Sequence, residues 1–348
     1  MLENLKGAAR LLLEQDLQPV LGTRFQPTGF AEMGAAVYTP AGGKRMLLVE
    51  SAQSMANRLE RTCLDGNGPD IWSELEGIPY VVSELTGAIE TKTSSLIEAH
   101  RLNSPWIVSD KNFAASFVKR ANYEDKKPLD WRSIAEAVFY YDPNSLIHGL
   151  FMVGISGRLR LPRALSGFIE AFDVVEAYSG GVKNNPLDPT GKIRAEGFDE
   201  NVYSNVPYQK VEYTARTIVA YFNLDLALIR GYGLPEPAAD LLVALSLLKV
   251  RRFLDTGLRL RTACDLIPSA PLRVKAPAEF EVPAENQLLA AVKQAISDCR
   301  DRKLFASPPI TAVEARAVKG KSAVPQQDAT DSSGDNEADA DVEDTESD

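Results

Sequence analysis

Between Leu146 and Val174 the chain reads LIHGLFMVGISGRLRLPRALSGFIEAFDV, an apolar run followed at once by the densest local positive charge in the sequence. The first ten of these residues, LIHGLFMVGI, are apolar and β-branched, which predicts a buried strand over 146–155. Arg158, Arg160 and Arg163 follow, with no acidic residue between Pro143 and Phe168. In an extended strand residues two apart share a face, so Arg158 and Arg160 are expected to project together. Guanidinium groups make bidentate hydrogen bonds to phosphate, and a row of them at strand spacing suits a polyanionic backbone. The alternative is that carboxylates from elsewhere in the fold pair with them.

Working outward toward the C-terminus, SGGVKNNPLDPTGKIRAEGFDENVYSN is rich in Gly, Asn, Asp and Pro. It predicts a long exposed loop or projecting hairpin over 178–205, made mildly basic by Lys183, Lys192 and Arg194. Loops of this length in compact domains usually bind something or are disordered. VPYQKVEYTARTIVAYFNLDLALI then alternates well enough for one or two strands. A helix is expected from near Pro237 and another after Pro283, the latter with Leu288, Val292, Ala295 and Cys299 as its core-facing stripe. From about Pro308 the periodicity fades, and after Pro325 the chain holds Asp, Glu, Ser and Ala almost without large apolar residues. One folded unit over 1–307 and a linker with a disordered acidic tail over 308–348 are therefore expected.

Toward the N-terminus, AAVYTPAGGKRMLLVES places two β-prone runs around Pro40, Gly42 and Gly43, the composition of a hairpin turn. Ser51 can cap a following helix whose Ala52, Met55, Leu59 and Cys63 recur at helical spacing. Opposite that stripe, at 100° per residue, stand Ser54, Asn57, Arg58 and Arg61: donors and two positive charges on one strip, or simply a solvated face. Ser95-Leu96-Ile97-Glu98 has the form of a capping box, which predicts a helix ending before Pro105 and carrying His100 and Arg101. Residues 131–141 predict a further helix. The opening MLENLKGAARLLLEQDL interleaves charges with leucines as an amphipathic helix does, without the apolar core of a signal peptide.

The chain has 348 residues, 45% hydrophobic and 25% charged, enough to bury a sizeable core. Its net charge of -10 is a property of one segment, because 325–348 holds ten of the 48 acids and none of the 38 bases. The remainder is balanced at 38 against 38, so a surface for nucleic acid must come from local segregation of charge. Cys63, Cys264 and Cys299 lie far apart and read as reduced core residues. His100 and His148 are the only histidines, too few for a His-rich metal site. Neither a phosphate-binding G-x-x-x-x-G-K-[ST] loop, a nucleophile elbow nor a dinucleotide fingerprint is present. No metal or cofactor is expected, and the longest apolar stretch, near DLLVALSLLKV, is far short of the roughly 20 residues that span a bilayer. A cytoplasmic protein without membrane association is the expectation.

Several segments taken together resemble the Cascade backbone subunit of type I-G (formerly I-U) CRISPR systems, in the RAMP superfamily. They are GTRFQPTGF from Gly22, LLVESAQSMANRLE from Leu47, TSSLIEAHRLNSPWI from Thr93, the stretch from Leu146 quoted above, SGGVKNN from Ser179 and VPYQKVEYTA from Val206. The resemblance covers roughly Leu17 to Asp265. It implies an α+β fold with a ferredoxin-like palm related to the RNA-recognition fold, elaborated by a thumb and by finger insertions, with 178–205 as candidate thumb. It also implies a non-catalytic subunit that binds a crRNA guide, stacks head-to-tail with other copies in a helical filament, and joins other Cascade subunits. Target DNA would be met by pairing with the guide, so the protein grips backbone and leaves base edges free. The residues it points to for RNA contact are Arg24, Gln26, Ser54, Asn57, Arg58, Arg61, His100, Arg101, Arg158, Arg160, Arg163, Lys183, Lys192 and Lys210. The competing reading is a RAMP endoribonuclease that processes repeat RNA with His100 as general acid or base.

Overall fold

The computed structural model describes residues 3–30, 34–66, 68–155, 157–184, 186 and 206–318. Its principal strands are β1 (Arg10–Pro19), β2 (Met46–Glu50), β3 (Tyr80–Gly87), β4 (Thr91–Ser94), β5 (Leu165–Phe172), β6 (Val175–Lys183), β7 (Val206–Thr214), β8 (Thr217–Asp225), β9 (Cys264–Pro268), β10 (Arg273–Ala276) and β11 (Ile310–Ala317). The helices are α1 (Ala52–Arg61), α2 (Pro105–Val108), α3 (Lys111–Arg120), α4 (Trp131–Tyr141), α5 (Pro143–His148), α6 (Leu226–Gly231), α7 (Glu236–Thr256) and α8 (Glu285–Asp301).

One antiparallel sheet organises the chain. Its spatial order is Arg259–Arg261, β9, β1, β8, β5, β2 and Val37–Tyr38, with β10 also paired to β1. Because β1 and β5 both run antiparallel to β8, they are parallel to each other, and a crossover through α1 and a long insertion joins them. The crossover from β8 to β9 is made by α6 and α7. In β1 the leucines Leu11, Leu13 and Leu17 alternate inward with Gln15, whose amide donates to the carbonyls of Asp16 and Ala270. The opening segment is thus a central strand after a short 3-10 turn, and not the amphipathic helix its charges suggest. Partners on both sides satisfy its backbone, and a period of two wins over 3.6.

Ser51 caps α1 by accepting from the Ser54 N–H, as expected, and Met55, Leu59 and Cys63 are buried. The hairpin ahead of it forms, with Val37 and Tyr38 paired to Leu47 and Met46. Helix α4 spans the expected residues, and α8 buries Leu288, Val292, Ala295 and Cys299. All three cysteines are free and buried.

Three further expectations fail. Residues 95–100 form turns, because the Ser95 hydroxyl accepts from the Val81 N–H and Glu98 accepts from Thr93 and Ser104, leaving no capping box. Residues 146–155 split between the end of α5 and a two-residue strand at Leu150–Phe151, with Gly149 at φ +85° breaking the run. The fold also does not end near Pro308. Strand β11 pairs in parallel with β3, which in turn pairs with β4, and Val313, Ala315 and Ala317 point inward. The alternation in ITAVEARA carries that signal. The acidic residues 325–348 lie outside the described residues. No helix among the described residues is long and apolar enough to cross a membrane.

Strands β6 and β7 form a two-stranded arm that leaves the sheet between β5 and β8. Its register continues theirs, Phe172 facing Thr217 and then Val175 facing Thr214. Of the hairpin or long loop expected over 178–205, residues 178–183 lie in β6, while 185 and 187–205 lie outside the described residues. Asp173, at φ +54°, marks the junction and pairs with Lys44 and Arg216.

Candidate nucleic-acid interface

The outer strip of α1 does not present four free polar groups. Glu50, at the end of β2, is fully buried, and Arg58 Nε donates to its Oε1 at 2.6 Å while Arg58 Nη2 donates to the Leu260 carbonyl at 2.7 Å. Arg261 takes the other carboxylate oxygen at 2.6 Å, and the Ser54 hydroxyl also donates to Glu50. A buried carboxylate demands such compensation, so Arg58 and Ser54 are held by the fold rather than left for a ligand. Asn57 and Arg61 are exposed. Arg61 lines a hollow of about 290 Å³ with Arg58, Arg252 and Arg259. Arg252 is itself anchored, stacked 3.6 Å over Trp72 and paired to Glu285 at 2.9 Å.

A larger cleft, of about 960 Å³, gathers residues distant in sequence: Gln53 of α1, the 99–103 turn, 148–153, and 160–163. It brings together His100, Arg101, Arg160 and Arg163. His100 is exposed at its rim. Arg101, at φ +51°, holds a conformation that side chains rarely adopt because its guanidinium is fixed. Nε and Nη2 bind the two oxygens of Glu60 at 2.6 and 2.8 Å, and Nη1 donates to the Gly149 carbonyl at 3.1 Å. Arg160 is exposed, its guanidinium 4.0 Å from the Phe151 ring centroid. Arg163 is half-buried and donates to the Ala52 carbonyl at 3.0 Å. Gly149 makes this approach possible, since a Cβ there would stand 3.1 Å from Arg163 Cγ and 3.2 Å from the Leu161 carbonyl oxygen.

Arg158 does not join the other two. The Arg160 N–H donates to the Arg158 carbonyl at 3.1 Å, a tight turn centred on Leu159 that destroys strand parity. Arg158 instead donates to the Lys127 carbonyl at 3.1 Å, outside the cleft.

The remaining candidates sit around the arm. Arg24 and Lys210 both pair with the buried Glu212, at 3.4 and 2.8 Å. The Gln26 carbonyl accepts from Arg261, and Gln26 lines a separate hollow with Arg45, Glu176 and Tyr213. Lys183 is exposed at the end of β6, and Lys192 lies outside the described residues.

Beneath the cleft floor lies a buried polar network that the sequence reading missed. Glu60 accepts from Asn144 Nδ2 at 2.9 Å, and Asn144 Oδ1 accepts from Lys249 Nζ, which also meets His148 Nε2 at 2.8 Å. Lys249 and His148 are essentially without solvent exposure. Burial holds the His148 imidazole well below its ordinary range, helped by the neighbouring Lys249 charge, and burial likewise lowers the Lys249 ammonium. Asp142, which caps α5 and accepts from Ser145, is pushed up to about 6 by burial. The legible signal was a lone lysine inside the apolar LLVALSLLKV. Among the described residues no group of three or more His, Cys, Asp and Glu could hold a metal ion.

The cleft and the arm lie at opposite ends of β5: residues 160–163 enter it and β6 leaves it. Eight residues at ~3.3 Å each separate them by about 25 Å. The arm exposes Val175, Tyr178, Val182, Tyr208 and Val211.

The family described as CRISPR-associated protein GSU0053 matches residues 11–176. No curated protein matches the chain. Among solved structures, similarity is found to a chain of a "CRISPR RNA-guided surveillance complex, pre-nicking", at 14% identity over 84% of this chain and 89% of that one, with a TM-score of 0.40. A chain of another "CRISPR RNA-guided surveillance complex" gives 12% identity, 84% and 83% coverage and a TM-score of 0.31. Csc2 of Thermofilum pendens gives 10%, 87% and 79%, with a TM-score of 0.28.

Proposed function

We propose, from the premise that residues 11–176 are a CRISPR-associated GSU0053-type segment, that the chain is a non-catalytic backbone subunit of a type I-G surveillance complex. It holds guide RNA by its phosphates and presents the bases for pairing with target DNA. The observation that carries this reading is that every residue lining the 960 Å³ cleft, from Gln53 to Arg163, falls inside the matched segment. Arg160 offers a guanidinium there that no carboxylate neutralises among the described residues, the arrangement a phosphodiester asks for.

The sheet supports the palm reading. Strands β9, β1, β8 and β5 follow the 4-1-3-2 order of a ferredoxin-like unit, with α1 and α7 as its two crossover helices. The β6–β7 arm, inserted between the second and third strands, is the thumb in this reading, and the 62–149 insertion supplies the fingers. Copies associate head-to-tail, since a heterologous contact repeated by one rotation and translation generates an open helix that follows the RNA. The setting is cytoplasmic, with other subunits of the complex as partners.

The test is co-expression with a CRISPR array, purification of the full chain, and sequencing of the nucleic acid retained. Spacer-containing guides are expected. A preparation whose 260/280 nm absorbance is that of pure protein would reject the reading.

A further inference from the structure

One buried polar atom on a residue that lines the cleft is left without a partner. His148 lines the cleft, is 1% exposed, and its Nδ1 makes no hydrogen bond among the described residues. Its other ring nitrogen is fully engaged, because Lys249 Nζ lies 2.8 Å from Nε2. An ammonium carries donors and no acceptor, so Nε2 must accept and the ring proton must sit on Nδ1. Asn144 fixes the sense of the chain: its Nδ2 donates to Glu60, which leaves Oδ1 to accept a second Lys249 proton. The result is a buried N–H donor on a cleft-lining residue with no acceptor among the described residues, a group that native structures pair with water, an ion or a ligand.

We propose that His148 Nδ1–H is a recognition donor for a phosphodiester oxygen of a nucleic-acid strand seated in the cleft, with Lys249 as the positioning residue that fixes its tautomer. This rests on the guide-binding reading above and deepens it to one atom. The surroundings select an anion. Glu60 is already bound bidentately by Arg101, and Arg160 and Arg163 complete a positive rim around the donor. A neutral imidazole donor beside these cations adds direction to what charge alone would leave loose. It also explains why a lysine is retained in the middle of the apolar α7, where its own burial is costly.

The test uses the full chain and a fluorescein-labelled single-stranded RNA read by fluorescence anisotropy. His148→Gln is the discriminating variant, because the Gln amide oxygen can still accept from Lys249 while the Nδ1–H is gone. Its Kd is expected to rise about tenfold or more, with unchanged circular dichroism. The same loss is expected with DNA of the same sequence, since the acceptor is phosphate. A loss confined to RNA would overturn the assignment in favour of a ribose hydroxyl. Wild-type protein that binds neither strand would reject the guide-binding reading itself. Wild-type binding that His148→Gln leaves intact would reject only the His148 proposal.

Should His148→Gln fail to fold, the wild-type ring can be observed directly. With only two histidines in the chain, ¹⁵N-histidine spectra of wild type and His100→Ala assign His148 outright. A protonated Nδ1 and an unprotonated Nε2 are expected, with the Nδ1–H signal moving on addition of RNA and the fixed tautomer lost in Lys249→Met. A proton on Nε2, or an Nδ1–H unmoved at saturating RNA, would overturn the proposal.

Discussion

Arg58 Nε meets Glu50 Oε1 at 2.6 Å, and Glu50 is buried completely at the end of β2. Arg261 holds the other oxygen at the same distance, so one carboxylate joins α1, β2 and the strand at Arg259–Arg261. The charge on Arg58 is therefore committed to the fold, whereas Arg61, about one helical turn on, is exposed and forms no ion pair among the described residues.

Glu50→Ala is expected to cost about 3–5 kcal/mol in urea denaturation, because two guanidinium groups lose their counter-charge in a partly dry site. Arg61→Ala should stay within about 0.5 kcal/mol of the wild type while reducing RNA retention. Equal stability losses in the two variants would contradict the division of roles.

The arginines after Gly157 should separate in the same way. Arg163→Ala removes the second donor to the Ala52 carbonyl, which also accepts from the Ala56 N–H within α1, and is expected to lower stability by about 0.5–1.5 kcal/mol. Arg160→Ala, at an exposed position, should fold as the wild type does and bind RNA more weakly. Arg158→Ala, outside the cleft, should bind nearly as the wild type. A variant series in which Arg158 mattered most for binding would argue for a different RNA path.

Affinity for single-stranded RNA should fall linearly with the logarithm of salt concentration. Arg160→Ala should reduce that slope by about 0.7, the contribution of one phosphate contact on a single strand. Titrations at four or five salt concentrations check this, and an unchanged slope would place Arg160 away from phosphate.

Asp142 gives a pH signature. Its carboxyl titrates near 6 in the folded chain against a usual 3.8, so between those values the native state holds the proton that the unfolded chain has lost. Stability from this group is highest below about pH 4, declines as pH rises toward 6 and is flat above. Asp142→Asn keeps Oδ1 for the Asn144 N–H and removes the titration. Its melting temperature should therefore gain on the wild type from pH 4 to 6, and a constant gap across that range would refute the assignment.

Truncation locates the end of the fold. A chain ending at Val318 keeps every contact described above and should melt like the full chain. One ending at Ser307 loses β11, uncovers the edge of β3 along Tyr80–Gly87, and is expected to melt lower or aggregate.

The sequence by itself determined the elements whose signals are local. The Ser51 cap and the α1 stripe, α4, and the core face of α8 all follow from caps and a single period. It also supplied four residues of the cleft, His100, Arg101, Arg160 and Arg163, though not that they meet. What only the tertiary structure decided is which charges are available. Arg58, Arg24 and Lys210 find buried carboxylates at Glu50 and Glu212, and Arg101 finds Glu60, partners separated from them by anything from two positions to nearly two hundred. Local sequence cannot announce such pairs, because the force that creates them is the desolvation of a carboxylate by elements that come together only on folding. The same holds for β1, whose helical-looking charges give way to strand partners on both sides, and for His148 and Lys249. Their chemistry exists only because α5 and α7 seal them in one buried place.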